Sequence, residues 1–250
     1  MNDGYIALID SGIGGVSLLL ELIKILPNER FLYFGDNKNA PYGNKNKRQL
    51  LDLTLSNVDY IKRYNVKVLV VACNTLSANF LNEIKAYSNL PTFGVFPPVE
   101  KAVLMGGRTL LLATNLTSEK YKFYKNIDVV GLNDLASKIE SNIFSLDNLN
   151  IYDVLEQSKF IDKKFYYNTV ILGCTHYFFV KNKIFDHFRP RNILRGETFA
   201  SLQIKSFLKS QKSLVKHYTN SVLFIGENAK TNKQFYDLCG QKCLNFYKKN

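Results

Sequence analysis

The chain has 250 residues, 46% of them apolar, and a net charge of +12. Its length suits one large domain or two of about 125 residues, and its apolar content excludes wholesale disorder. Four cysteines, at 73, 174, 239 and 243, are too few and scattered for a disulfide framework. Met1 is followed by polar Asn2 and Asp3 rather than a secretory leader, and no apolar run approaches the roughly 20 residues of a membrane span, so a soluble, cytoplasmic protein is expected. The charge surplus would concentrate an anionic partner. Basic residues are spread along the chain, with small knots at Lys45 to Arg48 and at Lys248-Lys249 and no nucleic-acid-binding motif, which favours a small anionic metabolite over nucleic acid.

Residues Tyr5 to Ile9 are apolar nearly throughout, as in a strand buried on both faces of a parallel sheet. They lead into Asp10-Ser11-Gly12-Ile13-Gly14-Gly15, after which Val16 to Leu26 carries apolar residues at helical spacing until Pro27. A second strand, Arg30 to Phe34, breaks at Gly35-Asp36 before a loop with Pro41-Tyr42-Gly43. A helix near Lys47 to Tyr64 precedes the most apolar strand, Val66 to Ala72, which delivers Cys73-Asn74-Thr75 and a helix to about Tyr87. Pro91 to Val95 is a short strand closed by Pro97-Pro98.

In the second half, Thr109 to Ala113 ends in Thr114-Asn115-Leu116-Thr117, and Thr169 to Leu172 ends in Gly173-Cys174-Thr175-His176. Ser221 to Ile225 precedes Gly226-Glu227 and a helix with Cys239 and Cys243. This alternation predicts parallel α/β sheets with ligands at the carboxyl ends of the strands. Asp10 and Thr114 are 104 residues apart, and Cys73 and Cys174 are 101 apart. Such near-equal offsets predict two pseudosymmetric α/β lobes with the active site in the cleft between them. The first would comprise residues 1–93 and 208–250, the second residues 94–207.

Cys73 and Cys174 each follow a buried strand at a strand-to-helix turn, where a helix N-terminus favours a thiolate. Facing each other across a cleft, two thiols can form a redox disulfide, bind a soft metal, or serve as acid and base on opposite faces of a substrate. His176 is the only histidine beside either cysteine, which disfavours metal. A C-x-x-C redox motif is absent. The acid/base reading remains, with Asp10, Glu140 and His176 as the titratable groups that tune thiols of ordinary pKa near 8.5. Gly12, Gly14 and Gly15 lack the G-x-G-x-x-G spacing of a nucleotide site. His187 and His217 read as surface residues, and Cys239 with Cys243, at i, i+4 on a helix, reads as core.

Four motifs, Asp10-Ser11-Gly12-Ile13-Gly14-Gly15, Pro41-Tyr42-Gly43, Ala72-Cys73-Asn74-Thr75 and Leu172-Gly173-Cys174-Thr175-His176-Tyr177, resemble in order and spacing those of the glutamate racemases, cofactor-independent members of the aspartate/glutamate racemase family. The resemblance runs from residue 6 to the end of the chain. It implies a two-lobed α/β fold, interconversion of L- and D-glutamate without cofactor or metal, supply of D-glutamate for peptidoglycan, and a homodimer. By the same resemblance Cys73 would exchange the Cα proton on the D face and Cys174 on the L face. Asp10, Ser11, Pro41, Tyr42, Gly43, Asn74, Thr75, Thr175 and His176 would hold the substrate or tune the thiols. Thr117 matches a substrate-contacting threonine, and Glu140 lies where the family has an acidic residue. Ser137-Lys138-Ile139 and Phe178 stand where the family usually has proline-containing segments.

Without a pyridoxal electron sink, the developing carbanion has to be stabilised by hydrogen bonds to the substrate carboxylate. Backbone amides at the Ser11 to Gly15, Gly43, Asn74-Thr75 and Thr175 turns are suitable donors. An aspartate racemase or a related isomerase with the same cysteine pair is the alternative enzyme, since one methylene discriminates poorly. The His176-Tyr177 ending and the Pro41-Tyr42-Gly43 loop resemble the glutamate enzymes more. A basic nucleic-acid-associated protein is the alternative of another class, and the scattered charge speaks against it.

Overall fold

Strands that read as continuous apolar runs become the interior of two all-parallel sheets, because a crossover helix covers each face and leaves no polar side. The computed structural model describes residues 3–132, 134–156, 166–215 and 221–239, so His217 and Cys243 lie outside the described residues. In chain order the elements of the first half are β1 (Tyr5–Asp10), α1 (Val16–Ile25), β2 (Arg30–Gly35), α2 (Lys47–Ile61), β3 (Val66–Val71), α3 (Asn74–Ser88) and β4 (Thr92–Gly94). Next come α4 (Val99–Met105), β5 (Thr109–Ala113), α5 (Asn115–Ser118), β6 (Ile127–Gly131), α6 (Leu135–Ser141), α7 (Tyr152–Glu156), β7 (Thr169–Gly173), α8 (Lys181–Phe188) and β8 (Asn192–Arg195). The chain closes with α9 (Gly196–Ser210), β9 (Ser221–Ile225) and α10 (Ala229–Cys239).

One sheet has the order β4-β3-β1-β2-β9 and the other β6-β5-β7-β8. All pairings are parallel. The chain therefore crosses to the second sheet after β4 and returns with β9. β1 and β3 are neighbours in the first sheet and β5 and β7 in the second, so both cysteine-bearing turns leave the same relative position. β5 and β7 are buried along their whole length.

The strands that sequence reasoning left out are β6 and β8, both at edges of the second sheet. β6 mixes buried and half-buried positions and β8 is half-buried throughout, so neither forms an unbroken apolar run. α9 packs on α1, where Ser17 donates to the buried Glu197 carboxylate at 3.0 Å and Arg195 pairs with Glu21. Cys239 is core, as its spacing suggested. His187 is half-buried rather than free on the surface, its ring edge-on to Phe188 at 4.6 Å. Among the described residues no helix is long and apolar enough to cross a membrane.

A buried ion pair ties the return segment to the first sheet. Lys67 on β3 lies 2.6 Å from Glu29, with both side chains 1% exposed. Lys67 also donates to the Ser213 carbonyl at 3.0 Å, and the Val215 N–H donates to Glu29 at 3.1 Å. Removing one partner strands a charge in a dry site, so Lys67→Met is expected to cost about 3–5 kcal/mol. Lys67→Met with Glu29→Leu is expected to recover much of that loss, as read from urea unfolding of the single and double variants.

Candidate active site

The strand ends place polar groups where the two sheets face each other. β1 delivers Asp10, whose carboxylate accepts the Gly12 N–H at 3.1 Å and the Thr175 hydroxyl at 3.4 Å. The glycines that follow allow a close approach by the other lobe. A Cβ on Gly14 would lie 2.3 Å from Thr175 Oγ1 and 2.6 Å from His176 Nδ1, and one on Gly12 would lie 2.5 Å from the Glu140 carboxylate. Any larger residue would push the lobes apart.

Cys73 is the residue before α3, so its sulfur sits at the N-terminus of that helix, near the Thr75 and Leu76 N–H groups. Burial nonetheless pushes the thiol up to about 12, and the charge of Asp10 adds to the effect. The next residue, Asn74, is pinned to the segment just after β4, its Nδ2 donating to the Val95 carbonyl at 3.2 Å. Cys174 begins the 3₁₀ segment Thr175–Val180 after β7, and its sulfur is 3.8 Å from His176 Nδ1. Cys73 and Cys174 line one cavity of about 280 Å³.

His176 Nε2 lies 2.5 Å from Glu140 on α6. The same carboxylate accepts the Ile13 N–H at 3.1 and 3.3 Å and the Asn37 amide at 2.5 Å, both from the first lobe. Burial opposes charge on His176, yet its bonds to Cys174 and Glu140 hold it well above the usual histidine range. Burial also opposes charge on Glu140, but the donors His176, Ile13 and Asn37 hold its carboxyl below the usual glutamate range. The His176 ring thus lies between the Glu140 carboxylate and the Cys174 sulfur.

The Pro41-Tyr42-Gly43 loop forms another wall. Tyr42 donates to Asp36 at 2.5 Å, and Asn39 and Asn57 donate to the same carboxylate at 2.9 and 3.0 Å, which fixes the loop from behind. Gly43 abuts the second lobe: a Cβ there would be 3.0 Å from that of Thr114. The hydroxyls of Thr75 and Thr114 meet across the seam at 3.0 Å, and Thr117 joins them at 3.3 and 3.0 Å.

Most expected site residues reach the cavity wall: Ser11 from the glycine turn, Pro41, Tyr42 and Gly43 from the loop, Asn74 and Thr75 beside Cys73, and Thr175, His176 and Glu140 beside Cys174. Asp10 and Thr117 do not line the wall. Asp10 sits behind Thr175 and Thr117 behind Thr114, each one hydrogen bond away. Sequence reasoning missed Asn37 and Thr114 as wall residues. Thr114 carried a signal, since it follows β5 much as Asp10 ends β1. Asn37 carried none, because its partner is 103 residues away. Among the described residues no group of three or more His, Cys, Asp or Glu side chains is placed to hold a metal ion.

No family model matches the chain. It is 37% identical over 222 residues to the glutamate racemase of Clostridium novyi (strain NT), covering 84% of this chain and 85% of that protein. With the glutamate racemase of Clostridium botulinum (strain Hall) it shares 33% identity over an alignment of 250 positions that covers 95% of this chain and 96% of that one. Among solved structures, the Thermus thermophilus glutamate racemase in complex with beta-chloro-D-alanine superimposes with a TM-score of 0.81 at 25% identity, covering 98% of this chain and 96% of that one. On that identity over nearly the full length of its relatives, the chain belongs to the glutamate racemase family.

Proposed function

We propose that this protein interconverts L- and D-glutamate by a two-thiol acid/base mechanism, in the cleft between a lobe of residues 1–93 with 208–250 and a lobe of residues 94–207. The observation that carries the reading is that Cys73 and Cys174, from matching turns of two sheets, line one cavity. From the L side, a Cys174 thiolate takes the Cα proton while the Cys73 thiol gives its proton to the opposite face. Cys174 is left as thiol, Cys73 as thiolate, and the product is D-glutamate. The reverse reaction runs the same steps backward, and proton exchange with solvent resets the pair.

The surroundings of the thiols suit this division. Burial and Asp10 keep the Cys73 proton in place at rest, so it is ready as the acid for L-glutamate. His176, held by Glu140, can exchange a proton with Cys174 across 3.8 Å. The hydroxyls of Ser11, Thr75 and Thr175 and the amides of their turns are donors for the substrate carboxylate, whose charge grows as the proton leaves. The family resemblance adds a cytoplasmic homodimer that supplies D-glutamate for peptidoglycan.

Circular dichroism of purified protein with either enantiomer and no added cofactor is expected to relax to a racemate, and absence of any change would remove the reading. Single thiol variants separate the faces. In deuterated water Cys174→Ala should lose racemisation by roughly 10²- to 10⁴-fold while washing deuterium into D-glutamate and not L-glutamate, and Cys73→Ala should do the reverse. Exchange of both enantiomers by either variant would contradict the assignment.

Asp10 supplies a second measurement. Burial raises its carboxyl from 3.8 to about 6, so between these values the folded protein keeps a proton that the unfolded chain has lost. Stability therefore falls as pH rises through that window, by on the order of 3 kcal/mol in all. Asp10→Asn removes this cost: relative to the native protein it should be more stable at pH 8 and gain little at pH 4, with racemisation lowered at both. Equal differences in melting temperature at the two pH values would show that Asp10 carries no such burden.

A further inference from the structure

We infer that Asn37, through its hydrogen bond to Glu140, is a positioning residue that keeps the proton shared by Glu140 and His176 on the imidazole beside Cys174. The inference rests on the two-thiol reading, in which that imidazole serves Cys174.

Asn37 opens the 3₁₀ turn Asn37–Asn39 just after β2, on the first lobe, and its Nδ2 lies 2.5 Å from Glu140 Oε1. Glu140 is on the second lobe, and its other oxygen, Oε2, is the one bonded to His176. Asn37 and His176 thus compete for one carboxylate from opposite ends. A donor on Oε1 withdraws electron density from the group, so Oε2 is a weaker base toward the imidazole proton. Without that donor, Glu140 competes better for the proton, and the pair drifts toward a neutral acid beside a neutral imidazole. The imidazole then has one proton fewer to trade with Cys174.

The orientation of the Asn37 amide bears on its role. Its Oδ1 is buried without a hydrogen-bond partner. Turning the amide over would set that oxygen against the Glu140 carboxylate, so the side chain accepts an orphaned acceptor in order to present its donor. Buried polar atoms without partners are rare because they lower stability. Here one stands next to the reacting groups, where a stability cost is expected to have a functional reason. The other ionisable groups coupled to Glu140 include Asp10 at the end of β1, Tyr33 on β2, which burial keeps neutral, and His176 after β7. Only Asn37 and the Ile13 amide donate to Glu140 from the first lobe among the described residues, and Asn37 is the one a substitution can remove.

The test uses Asn37→Ala and Asn37→Asp in the full chain. In Asn37→Ala, kcat should fall roughly tenfold with KM for glutamate nearly unchanged, because the amide binds Glu140 rather than substrate. The melting temperature should change little, since losing the orphaned acceptor offsets losing the donor to Glu140. In a Glu140→Gln background the same substitution should change kcat little. The near-isosteric Asn37→Asp sets carboxyl against carboxyl, so its rate should drop as pH rises and recover as the new group is protonated and donates again. Carbon-13 NMR of labelled glutamate side chains, with Glu140→Gln for assignment, should place the Glu140 midpoint higher in Asn37→Ala than in the native protein. An unmoved midpoint, a flat Asn37→Asp profile, or an equal kcat loss in the Glu140→Gln background would overturn the inference. Should the native protein fail to racemise glutamate, the two-thiol reading falls by itself, and the Glu140 midpoint still decides the role of Asn37.

Discussion

The carboxylate of Glu140 is held by both lobes at once, and the shape of the site follows from that contact. It takes Ile13 and Asn37 from the first lobe and His176 from the second. The Glu140 side chain is 20% exposed, and a carboxylate so largely withdrawn from water is stable when its lone pairs are filled. Filling them requires the glycine turn after β1 to lie directly against α6, and Gly12 has no Cβ to prevent it. The seam of threonine hydroxyls at Thr75, Thr114 and Thr117 performs the same closure on the other side of the cavity.

Duplicated architecture produces two thiols with unlike surroundings. Both cysteines follow a central parallel strand and precede a helical turn. At Cys73 the neighbouring charge is the Asp10 carboxylate, which adds to burial in holding the proton on sulfur. At Cys174 the neighbour is His176, backed by Glu140. The proposed two-thiol mechanism requires one group to start protonated and the other not, and this difference in neighbours would set it.

The polar groups around this cavity are also where the fold accepts energetic costs. Asp10 is buried with a raised carboxyl, and Asn37 and Asn74 each leave an acceptor without a partner. The apolar strands beneath them compensate: the residues of β1, β3, β5 and β7 just before the site are almost entirely shielded from water. The well-packed layer thus lies directly under the costly one.

The alternation of doubly buried strands with amphipathic helices was enough to specify parallel α/β lobes, because a strand covered on both faces has to be apolar along its whole length. The same argument placed Asp10, Cys73 and Cys174 at strand ends, since the residue ending such a strand is where the chain first meets a cleft. Edge strands β6 and β8 were not legible, because one partly solvated face interrupts the apolar run. Nor was the depth of each residue: Asp10 and Thr117 proved to support the wall, while Thr114 forms it. Asn37 depended entirely on tertiary structure. Its pattern in the chain is that of an ordinary turn residue, and its function arises only when folding brings Glu140, 103 positions later, within hydrogen-bonding distance. Local sequence determines periodicity and turn chemistry, whereas contacts between lobes depend on how the two sheets face each other, which no local pattern encodes.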